Sequence, residues 1–479
     1  MKLASNGIAP PLKPPDNPYM KSTPLPPSLL ESLKKSLPDG CFIQDPATCL
    51  SYAYDNSRRQ ALPQAVALVD RHEQVVSIVR ACHQHRVALT ARGRGTNTTG
   101  ATVPIAGGVV ISFERMTRIL RIAPEDRIAV VEPGVLNADL QAAIAPSGFF
   151  WPPDPTSAPY CSIGGNLACN AGGPRAVKYG ATRDNVLGLR AVSGDGREFR
   201  CGGTTTKGAT GYDLTRLLIG SEGTLALITE ATLKLTPRAE ALATLRAEFS
   251  DVSAAAAAVA RIMAQAVTPC ALEFLDDACL DLARQREPEV LPNDTGALLM
   301  IEVDGQAATL EHAVKAVSKA AAGKGLLRLQ VASDRGEAAQ LWRVRKALSP
   351  ALRDLSPHKI NEDVVVPVSQ VPALIQATRE LASRFEFPIV SFGHAGNGNL
   401  HVNLLPRNTA ELARAEDCLA SLFATVIELG GTLSGEHGIG LSKRDFMPQA
   451  VDPNALHLMQ ALKQSFDPHG ILNPGKLLP

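Results

Sequence analysis

The stretch GHAGNGNLHVN, Gly393 to Asn403, carries two histidines, His394 and His401, seven residues apart around a turn of glycine and asparagine. Imidazole is the commonest metal ligand among side chains, yet on a straight strand an odd spacing sends two side chains to opposite faces. A shared ion therefore requires AGNGN to fold back as a hairpin, where facing Cβ atoms stand about 5 Å apart. Asn403 follows His401 by two and shares its face. Further on, SGEHGIG sets Glu436 beside His437 in a turn bounded by glycines, which can direct both side chains into one cavity. Two imidazoles and Glu436 would hold zinc and leave a position open for a substrate oxygen, although such nitrogen and oxygen donors also suit manganese or iron. Hairpins flanked by histidine are common without a metal, and a lone histidine beside glutamate is more often structural. The residues alone leave both readings open.

A carboxylate ligand would need a cation. LWRVRKALSPAL offers Arg345 on an expected helix, with Ser349 one turn later on the same face. Arginine can grip a carboxylate through two parallel bonds, but an ordinary solvated helix face explains the same pattern.

These groups need elements to carry them. TARGRGTNTTGATVP joins two expected strands through Arg92, Gly93, Arg94, Gly95, Thr96, Asn97, Thr98 and Thr99. Such a loop can aim several N–H groups and hydroxyls at one diphosphate, or it can be only a hairpin. Its Gly93, Gly95, Gly100 spacing, followed by a strand, fits a Rossmann nucleotide site poorly and disfavours a nicotinamide dehydrogenase. The stretch from Pro152 alternates rigid proline turns with Asp154, Thr156, Ser157, Ser162, Gly164 and Gly165, so a flat ligand could lie along its backbone. A tight surface loop is the plain alternative. Glu222 and Gly223 sit in a turn just before a strand.

Composition bounds the rest. The chain has 479 residues, 45% hydrophobic and 20% charged, with a formal net charge of +1, which describes a globular protein of two or three units. Without a basic run, nucleic acid is not an expected partner. Nine scattered cysteines without a CxxC pair suggest neither a zinc ribbon nor an iron–sulfur cluster and suit a reducing compartment. With no signal-like or membrane-spanning stretch, the expected location is cytoplasmic. Four segments are expected: a proline-rich arm over 1–40; a turn-heavy α+β unit over 41–237; a unit of strand–helix–strand repeats, ferredoxin-like in style, over 238–430; and a returning segment over 431–479.

The glycine-rich stretches, together with FGHAGNGNLHVN, SGEHGIG and ILNPGK in this order, resemble the FAD-linked oxidoreductases of the vanillyl-alcohol-oxidase (PCMH-type) fold. The nearest branch is that of the D-lactate, glycolate and D-2-hydroxyglutarate dehydrogenases. The resemblance implies that the Arg92–Thr99 loop wraps the FAD pyrophosphate, although Arg94 stands where many members have glycine. It places Pro153, Asp154, Thr156, Ser157, Ser162, Ile163, Gly164, Gly165 and Asn166 along ribityl and isoalloxazine, with Asn170, Gly172, Gly173, Tyr179 and Gly180 continuing the wall. Glu222, Gly223 and Ile228 would meet the adenine side, and Asn473 would close the site. No histidine lies between Arg92 and Tyr179, so non-covalent FAD is expected. The resemblance further implies a divalent metal, zinc first, on His394, His401 and Glu436. His437 is then the base, and Asn403, Arg345 and Ser349 contact substrate.

The implied reaction oxidises a D-2-hydroxy acid, D-lactate-like, to the 2-oxo acid, with hydride passing to flavin N5. Electrons then leave for a separate acceptor such as an electron-transfer flavoprotein, a cytochrome or a quinone. A homodimer is compatible with this reading. The alternatives are a D-2-hydroxyglutarate dehydrogenase, whose extra lysine would align two positions after Lys359, and the FAD subunit of a glycolate-oxidase-type complex.

Overall fold

The computed structural model describes residues 24–286, 291–345, 348, 352, 355–356 and 358–479. The start of the proline-rich arm and Ser349 lie outside them.

The first unit is built from two sheets. In the first, β1 (Phe42–Ile43), β2 (Ala65–Leu68), β3 (Leu89–Arg92) and β4 (Val109–Ser112) lie in the order β1-β2-β4-β3, and the three longer strands run parallel. AVAL and VVIS are buried along their whole length, as strands covered on both faces must be. α1 (His72–His85) shares their core through Val75, Val76, Ile78 and Val79, and its last turn ends at Arg86 in the left-handed conformation. The second sheet is antiparallel: β5 (Ile119–Ala123), β6 (Ile128–Val131), β7 (Val186–Ser193), β8 (Glu198–Gly202) and β9 (Ala226–Lys234) lie in the order β5-β6-β9-β7-β8. The C-terminal segment returns to β3 of the first sheet, where the Leu89 N–H donates to the Ile471 carbonyl and the Leu89 carbonyl accepts from the Asn473 N–H, both at 2.7 Å.

The second unit centres on one antiparallel sheet. β10 (Ala241–Phe249), α2 (Val252–Met263), β11 (Ala271–Leu275), β12 (Ala297–Gly305), α3 (Ala307–Ala321) and β13 (Leu326–Val331) form the expected ferredoxin-like arrangement, in the order β13-β10-β12-β11. The sheet does not end there. β14 (Ile360–Val365), β15 (Ile389–His394) and β16 (Asn399–Leu404) extend it to seven strands, in the order β11-β15-β16-β14. The reason is the edge: all five residues of ALEFL are buried, and an apolar edge strand must be paired or covered. β15 covers it through Glu273↔His394, Phe274↔Gly393 and Leu275↔Phe392. The histidine hairpin is thus part of the main sheet.

Candidate active site

The hairpin forms. β15 and β16 are joined by a short turn over Ala395–Asn397 and by Gly398, which takes a φ of +70° and packs so close to the Val366 carbonyl that a Cβ would overlap it. The register differs from simple facing: Phe392 stands opposite His401, and His394 lies two residues beyond Phe392 on the same face. The two histidines are therefore diagonal neighbours, with ring centroids 5.2 Å apart. From the distant SGEHGIG turn, Glu436 brings Oε1 to 3.4 Å from His394 Nε2 and 3.6 Å from His401 Nε2. The three candidate donor atoms lie within 4.8 Å of one another. His437 enters the same space and stacks on His401 at 5.3 Å.

Two carboxylates on neighbouring strands orient this cluster. Glu273, paired with His394 across the strands, bonds His394 Nδ1 and accepts from Arg345 Nε at 3.2 Å. That leaves His394 Nε2 turned toward Glu436. Asp363 stands opposite His401, with Oδ1 3.8 Å from its Nδ1. Asp363 Oδ2 accepts the amides of Gly435, Glu436 and His437 at 2.8, 2.7 and 2.9 Å, so it also seats the turn that carries Glu436.

The electrostatics follow from burial and proximity. Burial opposes charge on Glu273, but His394 outweighs it and holds the carboxyl down at about 2. Burial likewise opposes charge on Asp363, yet His437 and Lys443 hold it well below the usual carboxylate range. Burial would lower His394, but Glu273 and Glu436 raise it well above the ordinary imidazole value. Burial and the neighbouring His394 push His401 down to about 4.

A cleft of about 430 Å³ leads to the cluster. At one end it is lined by Arg92 to Thr98, Thr156, Ser157, Ser162, Gly164, Gly165, Asn166, Glu222, Gly223 and Ile228. At the other end stand Arg345, Lys359, Asn361, Phe392, His401, Glu436 and His437. Several side chains of the first group look away from the space. The Arg92 guanidinium donates to the Tyr54 carbonyl at 2.6 Å, and Arg94 pairs with Glu114 at 3.8 Å. Asn97 Nδ2 donates to the His437 carbonyl at 2.9 Å. Glu222 accepts the amides of Ile439 and Gly440 at 2.6 and 2.9 Å, and burial pushes its carboxyl up to about 7 against those two bonds. Arg92, Arg94, Asn97 and Glu222 are therefore engaged by the protein itself.

The other expected contacts lie behind this surface. Thr99 receives Leu441 N–H on its carbonyl, Ile163 is core, and the Pro153 carbonyl accepts from Asn137. Asp154 pairs with Arg175 at 3.3 Å and takes its place beside Gly172 and Gly173; burial lifts its carboxyl to about 7. Asn170 ends a helix in the left-handed conformation, and Gly180 ends the short turn after it. Tyr179, expected on the flavin wall, donates its hydroxyl to Asp304 at 2.7 Å, beside Lys178, and so ties the first unit to the second. Asn473, expected to close the site, donates to the carbonyls of Ala101 and Glu222 at 2.9 and 2.8 Å and holds the C-terminal segment in place. Asn403 shares the face of His401 as its spacing requires, but it is fully buried and donates to the His401 and Val390 carbonyls at 3.0 and 3.3 Å.

Glu273 and Asp363 did not emerge from motif reading. The available signal was an acid inside the otherwise apolar ALEFL, and the acids that lead into the apolar run of NEDVVV, where an unpaired buried charge is rarely tolerated.

A cleft with a glycine-rich loop at one end and imidazoles and carboxylates at the other has the form of a ligand- or cofactor-binding site. Residues 63–202 match the family model described as "FAD binding domain", and residues 238–477 match "FAD linked oxidases, C-terminal domain". The chain belongs to the FAD-linked oxidase family and is an FAD-dependent oxidoreductase. It is 40% identical to the glycolate oxidase subunit GlcD of Bacillus subtilis (strain 168), over 89% of this chain and 92% of that one. It is 32% identical to a D-lactate dehydrogenase of Anaerostipes hadrus, over 96% of this chain and 98% of that one. The solved structure of p-cresol methylhydroxylase with substrate bound superposes with a TM-score of 0.77 at 16% identity, covering 94% of this chain and 96% of that one, which shows a shared α+β, PCMH-type fold. Among the described residues no helix is long and apolar enough to cross a membrane.

Proposed function

We propose that the protein is an FAD- and metal-dependent dehydrogenase that oxidises a D-2-hydroxy acid of D-lactate type to the 2-oxo acid and passes the electrons to a separate acceptor protein or quinone. The convergence of His394 Nε2, His401 Nε2 and Glu436 Oε1 at the end of the cleft carries this reading. The site residues fit both groups. The loop after β3 offers main chain to a diphosphate, and Gly93 lies so close to Ser162 Oγ that only glycine fits. The histidine and glutamate donors, whose candidate ligand atoms lie within 4.8 Å of one another, suit a zinc-like ion.

When bound, FAD supplies the two-electron acceptor and the cation lowers the pKa of a hydroxyl near it. The chain supplies position and proton transfer. Arg345, seated over the Phe392 ring at 4.4 Å and held at Nε by Glu273, takes the substrate carboxylate. His437 takes the proton of the C2 hydroxyl as the carbonyl forms. Glu273 keeps the His394 ring from rotating, as carboxylates behind metal-bound histidines do. A cytoplasmic site of action belongs to this reading, supported by nine free cysteines.

Anaerobic mixing with D- and L-2-hydroxy acids tests it. D-acids bleach the flavin band, and a chelator slows the bleaching. Bleaching by L-acids alone, or at equal rate after the metal is stripped, refutes it.

Two observations favour related readings. Lys359 lines the cleft near Arg345, which suits a second carboxylate, as in D-2-hydroxyglutarate. The likeness to a glycolate oxidase subunit favours a chain that turns over only with partners. Turnover of the isolated chain with an artificial dye separates that from the first reading.

A further inference from the structure

The candidate donors come from segments far apart in the chain: the hairpin gives His394 and His401, and the turn after residue 433 gives Glu436. An ion could draw them together only against the entropy of ordering that turn. The structure contains another device. Asp363 is 0% exposed and holds both segments at once. Its Oδ2 accepts three consecutive amides, from Gly435, Glu436 and His437, and the Ser434 hydroxyl at 3.1 Å. Its Oδ1 accepts from Asn399 on the hairpin at 2.6 Å and faces His401 Nδ1. Lys443, buried behind it, bonds the Asp363 and Leu433 carbonyls at 2.9 and 2.7 Å. On the far side of the turn Glu222 accepts the next amides, of Ile439 and Gly440. A seven-residue turn is thus clamped by one carboxylate from each unit, through main-chain N–H groups that no side-chain substitution in the turn removes.

We infer that Asp363 is a positioning residue that assembles the metal-donor set, holding the 434–438 turn against the hairpin whether or not an ion is bound. This rests on the metal reading above. Within it, Asp363 touches neither substrate nor flavin. Its effect on activity passes through Glu436, His437 and His401.

Hydrogen exchange on the flavin-loaded wild-type protein decides the first half. The amides of Gly435, Glu436 and His437 stay protected after a chelator removes the ion; exchange at the rate of an open loop after stripping overturns the inference, because the ion would then be the organiser. Zinc affinity, measured by chelator competition, decides the second half. Asp363→Asn keeps the shape but turns an N–H toward the amides, and it weakens zinc binding about 10- to 100-fold at unchanged flavin content. Zinc binding as tight as wild type overturns it. Should Asp363→Asn fail to fold, the wild-type exchange measurement still decides. A wild-type protein that takes up no divalent ion sinks the metal reading alone, and the exchange of the three amides still judges Asp363.

Discussion

The two ends of the cleft are made of different material. At the end proposed for the cofactor the charged and amide side chains of Arg92, Asn97 and Glu222 are spent on holding loops, and glycines such as Gly93 let the backbone come close. At the substrate end the surface is side chain: His394, His401, Glu436, His437 and Arg345, each ordered by a buried carboxylate or by a ring. A backbone site tolerates truncation of side chains but not their addition. A site of charged side chains behaves in the opposite way, because removing one partner strands another in a low dielectric. The contrast predicts how each end fails.

The largest effect belongs to the substrate end. His437→Ala lowers kcat about 10²- to 10⁴-fold, the range for a lost general base, while flavin content stays at the wild-type level. Equal loss of flavin would erase the contrast, since the two ends would then be one cooperative site. Next comes Glu222, which links the ends. Burial lifts its carboxyl from 4.5 to about 7, so the folded state favours the protonated form more than the unfolded chain does. Its contribution is complete below the unfolded value near 4.5 and is lost as pH rises through about 7. A shift of that size corresponds to at most about 3 kcal/mol. Melting temperatures of wild type and Glu222→Gln, compared between pH 5 and pH 8, should show the wild type losing more on the alkaline side; parallel curves would assign the lift to something else.

Glu273→Gln follows. It leaves both histidines in place but removes the negative charge from His394 Nδ1 and Arg345 Nε together. Metal affinity should fall about 10- to 100-fold and KM for the hydroxy acid should rise, because Arg345, the cation proposed for the substrate carboxylate, loses its support at the same time. A change in metal affinity with KM untouched would show that Arg345 stands without Glu273.

The same contrast explains what could be read from the chain. Glycine loops and the AGNGN turn are local: the residues that make them adjoin in sequence, so the hairpin and the turn-rich wall were legible. Strand pairing is not local. That Glu273 faces His394 and Asp363 faces His401 depends on β11 and β14 flanking one hairpin, an outcome set by an apolar edge needing cover rather than by any motif. The four-strand arrangement was legible from its repeat, whereas the joining of β14 and the hairpin to that sheet was not, because β11 and β15 pair across more than 100 residues of chain. The resemblance places Tyr179 and Asn473 on the cofactor wall, and the polar atoms of both are bonded within the protein, to Asp304 and to loop carbonyls. Sequence marks a residue as near a site more readily than it says which way the side chain turns.

The smallest effect is the sharpest test of the cofactor end. Gly93 and Thr96 sit three residues apart in one loop and both line the cleft. A methyl added at Gly93 meets Ser162 Oγ, which also caps the helix that begins at Ile163, so Gly93→Ala must move either the loop or that cap, at about 1–3 kcal/mol for an overpacked position. FAD affinity should drop about tenfold or more, at 1.4 kcal/mol per decade. Thr96→Ala removes a hydroxyl and a methyl from the same wall, yet its carbonyl remains bonded to Asn56 and the loop keeps its path. If main chain does the holding, FAD affinity changes by less than about 0.5 kcal/mol, roughly twofold, the size typical of a surface substitution. Titration of apoprotein with FAD, followed by quenching of flavin fluorescence, measures both. A tenfold loss at Thr96→Ala would mean that hydroxyls carry the diphosphate after all, and the two ends of the cleft would no longer differ in kind.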